Sequence, residues 1–305
     1  VTRVAAIDCG TNSVRLLIAD VEDGKLTDLD RRMEIVRLGQ GVDQTGVLAP
    51  EALERTFKAM RGYADLIERH GAEKTRVVAT SATRDARNRS EFVSGVLEIF
   101  GVAPEVVSGE EEAHLSFVGA TRELAERRQI RPYLVVDIGG GSTEFVVGSS
   151  NVTAAKSVDI GCVRMTERHL QGDPPSPEQF AAAVADIDSA LRAVREVVPV
   201  DEARTLVGLA GSVTTVAGMA LDLPAYDATR IHLSRITADK VHAITKRLMH
   251  ATRAERAAVP VMHPGRVDVI AAGALILDRT MREFGFGAVV VSEHDILDGI
   301  AWSLV

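Results

Sequence analysis

The chain has 305 residues, roughly twice the length of an ordinary domain, so two domains are expected. With 46% hydrophobic and 26% charged residues it has the balance of a folded globular protein and not of a disordered one. Lys and Arg number 35 against 43 Asp and Glu, and a net charge of −8 excludes a general nucleic-acid coat, which needs a basic surface.

In chain order, the first element is the apolar run Val4–Ile7, which ends on Asp8. A Gly10-Thr11-Asn12-Ser13 turn and a returning apolar run, Val14–Ile18, follow. This reads as strand, tight turn, strand. The same pattern returns at Tyr133–Asp137, Gly139-Gly140-Gly141-Ser142-Thr143 and Phe145–Val147. One constant offset superposes Asp8 on Asp137, Gly10 on Gly139 and Ser13 on Ser142, with apolar runs aligned on both sides. An internal duplication is the reading.

After the first hairpin come an extended stretch through Leu38 and a helix from about Pro50 to His70. Proline suits its first position and Gly71 its stop. A strand over 75–80, a helix near 90–100, a strand over 105–107 and a helix from about Glu110 complete the first half. The second half repeats the theme with strands near 134–137, 143–147 and 152–159. A Gly172–Pro177 break and a long helix to about Val197 follow. A strand over 206–209, helices near 237–250 and 267–284, a strand over 288–291 and a closing helix end the chain. Two similar α/β domains, 1–127 and 128–305, are expected to face each other across a cleft, the closing helix able to pack back on the first.

The two cysteines, Cys9 and Cys162, exclude a disulfide framework and a four-thiolate zinc site; a single bridge between them stays open, with a reducing cytosol the simpler setting. No signal peptide is read, because Asp8 interrupts the first apolar stretch. The longest uncharged run, Thr205–Leu221, falls short of the roughly 20 apolar residues of a membrane span. A cytoplasmic protein with no membrane or nucleic-acid partner is expected.

Both Gly/Ser/Thr turns can close backbone N–H groups around an oxyanion, although glycine serves a plain hairpin turn equally well. A carboxylate beside a phosphate cradle repels the ligand unless a cation intervenes, so Asp8 and Asp137 read together as Mg²⁺-handling groups. Gly211-Ser212, after a strand and before a helix, is a third such turn, with small-residue packing as the plainer reading. Arg84 and Arg87 follow a strand end. Glu110, Glu111 and Glu112 open a helix, where dipole compensation alone would explain them. No Walker, dinucleotide, serine-elbow or HExxH pattern is present.

Together, Asp8-Cys-Gly-Thr-Asn-Ser13, Thr83-Arg84-x-Ala-x-Asn88, Ser108-Gly-x-Glu-Glu112-Ala, Asp137-Ile-Gly-Gly-Gly-Ser-Thr-Glu144 and Gly265-Arg266 resemble the exopolyphosphatase/guanosine pentaphosphate phosphohydrolase family. That family lies within the acetate kinase, sugar kinase, chaperone and actin superfamily. The resemblance implies two ribonuclease H-like, actin-like domains. It also implies a Mg²⁺- or Mn²⁺-dependent hydrolase that removes terminal phosphate from inorganic polyphosphate. Guanosine pentaphosphate is the alternative substrate, and an actin-like kinase or nucleotide-binding regulator is a more distant reading.

By the same resemblance, Glu112 activates water, Glu111 is a neighbouring helper and Arg84 assists. Gly10, Thr11, Asn12, Ser13, Arg15, Gly139, Gly140, Gly141, Ser142, Thr143, Gly211, Ser212 and Arg266 hold phosphate. Asp137 and Glu144 match residues linked to the metal, and Asp8 joins them as the other strand-end carboxylate. The two loops would grip the terminal phosphate across the cleft, and a homodimer is expected. Many relatives continue into a C-terminal helical domain not seen here, so a preference for short chains is expected.

Overall fold

The computed structural model describes residues 1–305, which divide into two compact units. Residues 1–119 and 294–305 form the first and residues 120–293 the second. The expected division at 127/128 moves back into a helix, and the closing helix belongs with the first unit.

The first unit holds β1 (Thr2–Cys9), β2 (Ser13–Glu22), β3 (Lys25–Ile35), α1 (Val42–Thr45), α2 (Pro50–His70) and β4 (Lys74–Ala79). It continues with α3 (Ser81–Asp85), α4 (Arg89–Phe100), β5 (Glu105–Val106) and the start of α5 (Gly109–Glu126). The second unit has β6 (Tyr133–Ile138), β7 (Thr143–Gly148), β8 (Val152–Val158), α6 (Cys162–His169) and α7 (Pro177–Val197). Next come β9 (Thr205–Leu209), α8 (Ala210–Ala220), α9 (Ala228–Ile231), β10 (Arg235–Thr237) and α10 (Ala238–His250). It closes with α11 (Arg253–Ala257), α12 (Ile270–Phe284) and β11 (Ala288–Ser292). The chain then rejoins the first unit as α13 (Ile296–Trp302). No helix is long and apolar enough to cross a membrane.

The duplication read from the hairpins extends to the whole sheet. In the first unit the strand order is β3-β2-β1-β4-β5, with β1, β4 and β5 parallel and β2 and β3 antiparallel. The second repeats it as β8-β7-β6-β9-β11, with β10 added antiparallel at the edge. The central strands β1 and β6 are buried on both faces, which is why they read as continuous apolar runs.

Period-two alternation then decides what each face meets. Ala5, Ile7 and Cys9 of β1 pack with Leu16 and Ile18 of β2 under α2 and α4. Val4 and Ala6, with Leu17 and Ala19, pack on Ile296, Leu297 and Ile300 of α13. Asp8 and Arg15 are the next residues along that second face. In α2, Pro50 stands in the first turn and Gly71 ends the helix at φ 66°, where a side chain would be strained. Ser176 opens α7 through a capping box with Gln179.

Candidate functional site

Each unit carries its loop at the end of its central strand, and the two loops are built alike. Gly10 N–H donates to Ser13 O at 2.9 Å, and Gly139 N–H donates to Ser142 O at 3.0 Å. In the first loop the Asn12 carbonyl accepts from Val36 and Arg37, and the Thr11 carbonyl from Gly39. In the second, the carbonyls of Gly139 and Gly140 accept from Cys162, Val163 and Arg164 at the start of α6. The Gly141 carbonyl accepts from Arg164 Nε at 2.7 Å.

Pinning the carbonyls to the scaffold turns the peptide planes, so the N–H groups of Thr11 and Asn12, and of Gly140 and Gly141, are what each loop offers a ligand. Thr11 Oγ1 and Asn12 Nδ2 add to this: both are buried and have no hydrogen-bond partner in the protein. Leaving a buried polar group unsatisfied costs about 1–3 kcal/mol. An oxyanion in the first loop removes that cost. Thr83 Oγ1, in α3, is another buried hydroxyl in the same condition. The first loop leaves no room behind it, since a Cβ on Gly39 would lie 2.2 Å from the Thr11 methyl and 3.1 Å from Ala82.

The second loop is backed as tightly. A Cβ on Gly161 would lie 2.3 Å from the carbonyl carbon and oxygen of Gly140. Gly161→Ala must therefore move the loop backbone. We expect turnover to fall by about 10²-fold, the cost of misplacing a reacting group by an ångström. Steady-state kinetics beside a thermal melt check this, and a melt that collapses with the activity would deny the loop its specific role.

Asp8 and Arg15 are directly opposed across β1 and β2, as Asp137 and Glu144 are across β6 and β7. Arg15 Nε and Nη2 donate to Asp8 Oδ2 at 3.1 and 2.7 Å, and Nη1 donates to Asp295 Oδ2 at 2.5 Å. Arg15, expected on the polyanion, thus has all three nitrogens on carboxylates. Burial pushes the Asp8 carboxyl above its ordinary range against the pull of Arg15. Burial opposes ionisation of Asp295 too, yet Arg15, the Leu297 N–H and Arg31 together hold it below that range. Asp295 was not singled out in the sequence. Its signal is the Asp295-x-x-Asp298 pattern, which forms a capping box at the start of α13.

Asp137 and Glu144 are both buried, and Glu144 Oε1 accepts from Ser142 Oγ and Ser157 Oγ at 2.7 Å each. Like charges directly opposite in a sheet are destabilising, so this pair of hard oxygen donors fits a divalent cation such as Mg²⁺ or Mn²⁺. In the same unit, β6 and β9 are parallel neighbours, which brings Gly211 and Ser212 of α8 to the sheet end that carries the second loop. The Arg266 guanidinium lies against Gly211, where a Cβ would fall 1.7 Å from Nη1. Ala210, which opens α8, is held at φ 76°, a costly conformation for alanine. Thr143 Oγ1 donates to Ile160 O and secures the foot of the loop.

The neighbouring glutamates separate cleanly. Ser108 Oγ accepts from Glu111 N–H and so caps α5, as a helix opening requires. Glu112 is buried, its Oε2 3.1 Å from Arg84 Nη1, and the same nitrogen donates to Val107 O at 2.9 Å. Glu111 points elsewhere: its side chain is 49% exposed and pairs with Arg76 at 3.1 Å. Arg84 belongs to α3, which follows β4 as α8 follows β9, and its N–H donates to Thr80 O. Asn88 proves architectural, since its amide clamps both the N–H and the carbonyl of Leu48. Cys9 and Cys162 are free and buried, and burial pushes both thiols up, so neither is a nucleophile at neutral pH.

Residues 17–305 match the Ppx/GppA phosphatase family. Exopolyphosphatase 2 of Mycobacterium tuberculosis is 50% identical, the match covering 99% of this chain and 98% of that protein. The crystal structure of an exopolyphosphatase-like protein has 42% identity and a TM-score of 0.96, covering 99% of this chain and 98% of that one. The Aquifex aeolicus PPX-GPPA enzyme has 32% identity and a TM-score of 0.83, with 99% of both chains covered. Duplicated loops, the glutamate behind Arg84 and these likenesses agree: the chain belongs to the Ppx/GppA phosphatase family.

Proposed function

We propose that the protein is an exopolyphosphatase that hydrolyses the terminal phosphoanhydride of inorganic polyphosphate and releases orthophosphate. The observation that carries this reading is the pair of loops whose carbonyls are pinned and whose N–H groups are left for an oxyanion. Phosphoryl transfer asks little covalent chemistry of a protein, so positioning and charge stabilisation do most of the work. In the first unit, Thr11 and Asn12 supply four donors to phosphate oxygens. Glu112, oriented by Arg84, takes a proton from the attacking water. In the second unit, the Gly140 and Gly141 N–H groups hold phosphate, and Arg266 beside Gly211 adds positive charge. Asp137 and Glu144 would hold Mg²⁺ or Mn²⁺, which when bound neutralises phosphate charge.

Orthophosphate release from polyphosphate, guanosine pentaphosphate and ATP, measured side by side, tests the substrate. Polyphosphate is expected to give the largest kcat/KM. Faster release from guanosine pentaphosphate would move the activity to the alternative substrate while keeping the chemistry. Chelation is expected to abolish turnover and added Mg²⁺ or Mn²⁺ to restore it. Asp137→Ala should raise the metal concentration needed for half activity by about 10-fold or more, since losing even an outer-shell partner of a metal ligand costs that much. Full turnover after exhaustive chelation would remove the cation from the reaction.

A further inference from the structure

The two copies of the site differ at one position that governs their charge. Arg15 stands in the first sheet where Glu144 stands in the second, each opposite the strand-end aspartate. In the second copy two carboxylates face each other. In the first, a guanidinium faces Asp8, and a second carboxylate, Asp295, comes from α13 to its other edge. All of Asp8, Arg15 and Asp295 lie in the first unit, where Asp8 is 6% and Asp295 3% exposed.

We propose that Arg15 and Asp295 are positioning residues for the first phosphate loop. The guanidinium balances Asp8 in place of a metal ion, and Asp295 fixes the guanidinium from its far side. The chain then needs a single divalent cation, held by the second copy alone. The proposal rests on the reading that Asp137 and Glu144 hold that cation. Its physical basis is that buried carboxylates need a positive partner with good geometry. Asp8 already has one, bonded through two nitrogens at 3.1 and 2.7 Å. Because Gly10 follows Asp8 by two residues and the β2 partner of Asp8 is Arg15, this ion pair ties the two strands at the root of the loop. Loosening it moves the Thr11 and Asn12 donors and spares Glu112 and its Arg84 contact.

Mn²⁺ binding followed by electron paramagnetic resonance on the full chain gives the first test, independent of turnover. The expected count is one ion per chain, kept in Asp8→Asn and lost in Asp137→Asn. No bound ion in the wild type overturns the cation reading and the proposal with it. Two ions, or one ion that disappears in Asp8→Asn, overturns the proposal alone.

The positioning role is read from Asp295→Asn, which keeps an acceptor for the Leu297 N–H. Loss of one charge-assisted bond to Arg15 should raise KM for polyphosphate about 10-fold or more, with kcat within about threefold and the Mn²⁺ count unchanged. A variant that only melts earlier, with KM unmoved, shows a structural residue and nothing further. Arg15→Glu combined with Asp295→Asn copies the second-unit pair into the first and is expected to take up a second Mn²⁺. If that double variant does not fold, the Asp8→Asn and Asp295→Asn results still decide.

Discussion

Glu112→Gln is expected to lower kcat by about 10²–10⁴-fold, the usual contribution of a general base. The substitution keeps shape and leaves an oxygen that can accept from Arg84 Nη1, now 3.1 Å from the carboxylate. It removes the ability to take a proton and, with it, the negative charge paired with Arg84. Substrate affinity should hold or improve, since a negative charge near a polyanion is lost. Glu111→Gln measured beside it separates the neighbours. Glu111 is half exposed and paired with Arg76, so the geometry assigns the large loss to Glu112. Near wild-type turnover in Glu112→Gln would sink the assignment, and a greater loss in Glu111→Gln would transfer it.

The largest expected loss of stability comes from two glycines where α5 meets α13. A Cβ on Gly119 would lie 1.8 Å from the Asp295 carbonyl oxygen, and one on Gly299 would lie 2.0 Å from that of Leu115. They let α5 and α13 cross with backbones in contact. An added methyl meets main chain, which no rotamer change relieves. Overpacking typically costs about 1–3 kcal/mol, and Gly299→Ala belongs at or above the top of that range. A loss of about 3 kcal/mol lowers Tm by roughly 5 °C in a chain of 305 residues. Because α13 carries Asp295, kcat/KM should fall as well. Gly62→Ala, in α2 with open space where its Cβ would stand, is the control and should raise Tm slightly. Equal melting of Gly299→Ala and the wild type would mean the helices can part at no cost.

Local signals explain what could be read without coordinates. The hairpins, the Pro50 and Gly71 boundaries of α2, and the run from Pro177 to Val197 are written within a few residues of where they act. The short helices α3 and α6 were not legible. α6 has only eight residues, and its role is to pin the second loop from behind. The Gly211 segment was read as a turn before a helix, whereas α8 already begins at Ala210. Glu112 was legible through its motif, but its separation from Glu111 was not, because Arg76 and Arg84 come from β4 and α3. The carboxylate partners of Arg15 were not legible either. Its second carboxylate partner lies 280 residues away, on a helix that no local pattern places over β1 and β2.

The exchange of glutamate for arginine between the repeats also bears on descent. Two identical halves, whether separate chains or a fresh tandem copy, carry the same side chain at both places. Either both are acidic and both crave an ion, or both are basic and neither does. A single gene with two copies escapes that constraint, since each can drift alone. Arg15 and Glu144 therefore mark a divergence between the repeats: the first sets a guanidinium opposite its strand-end aspartate, and the second sets a carboxylate there. On the proposal above, the fused chain needs one ion where two acidic copies would need two.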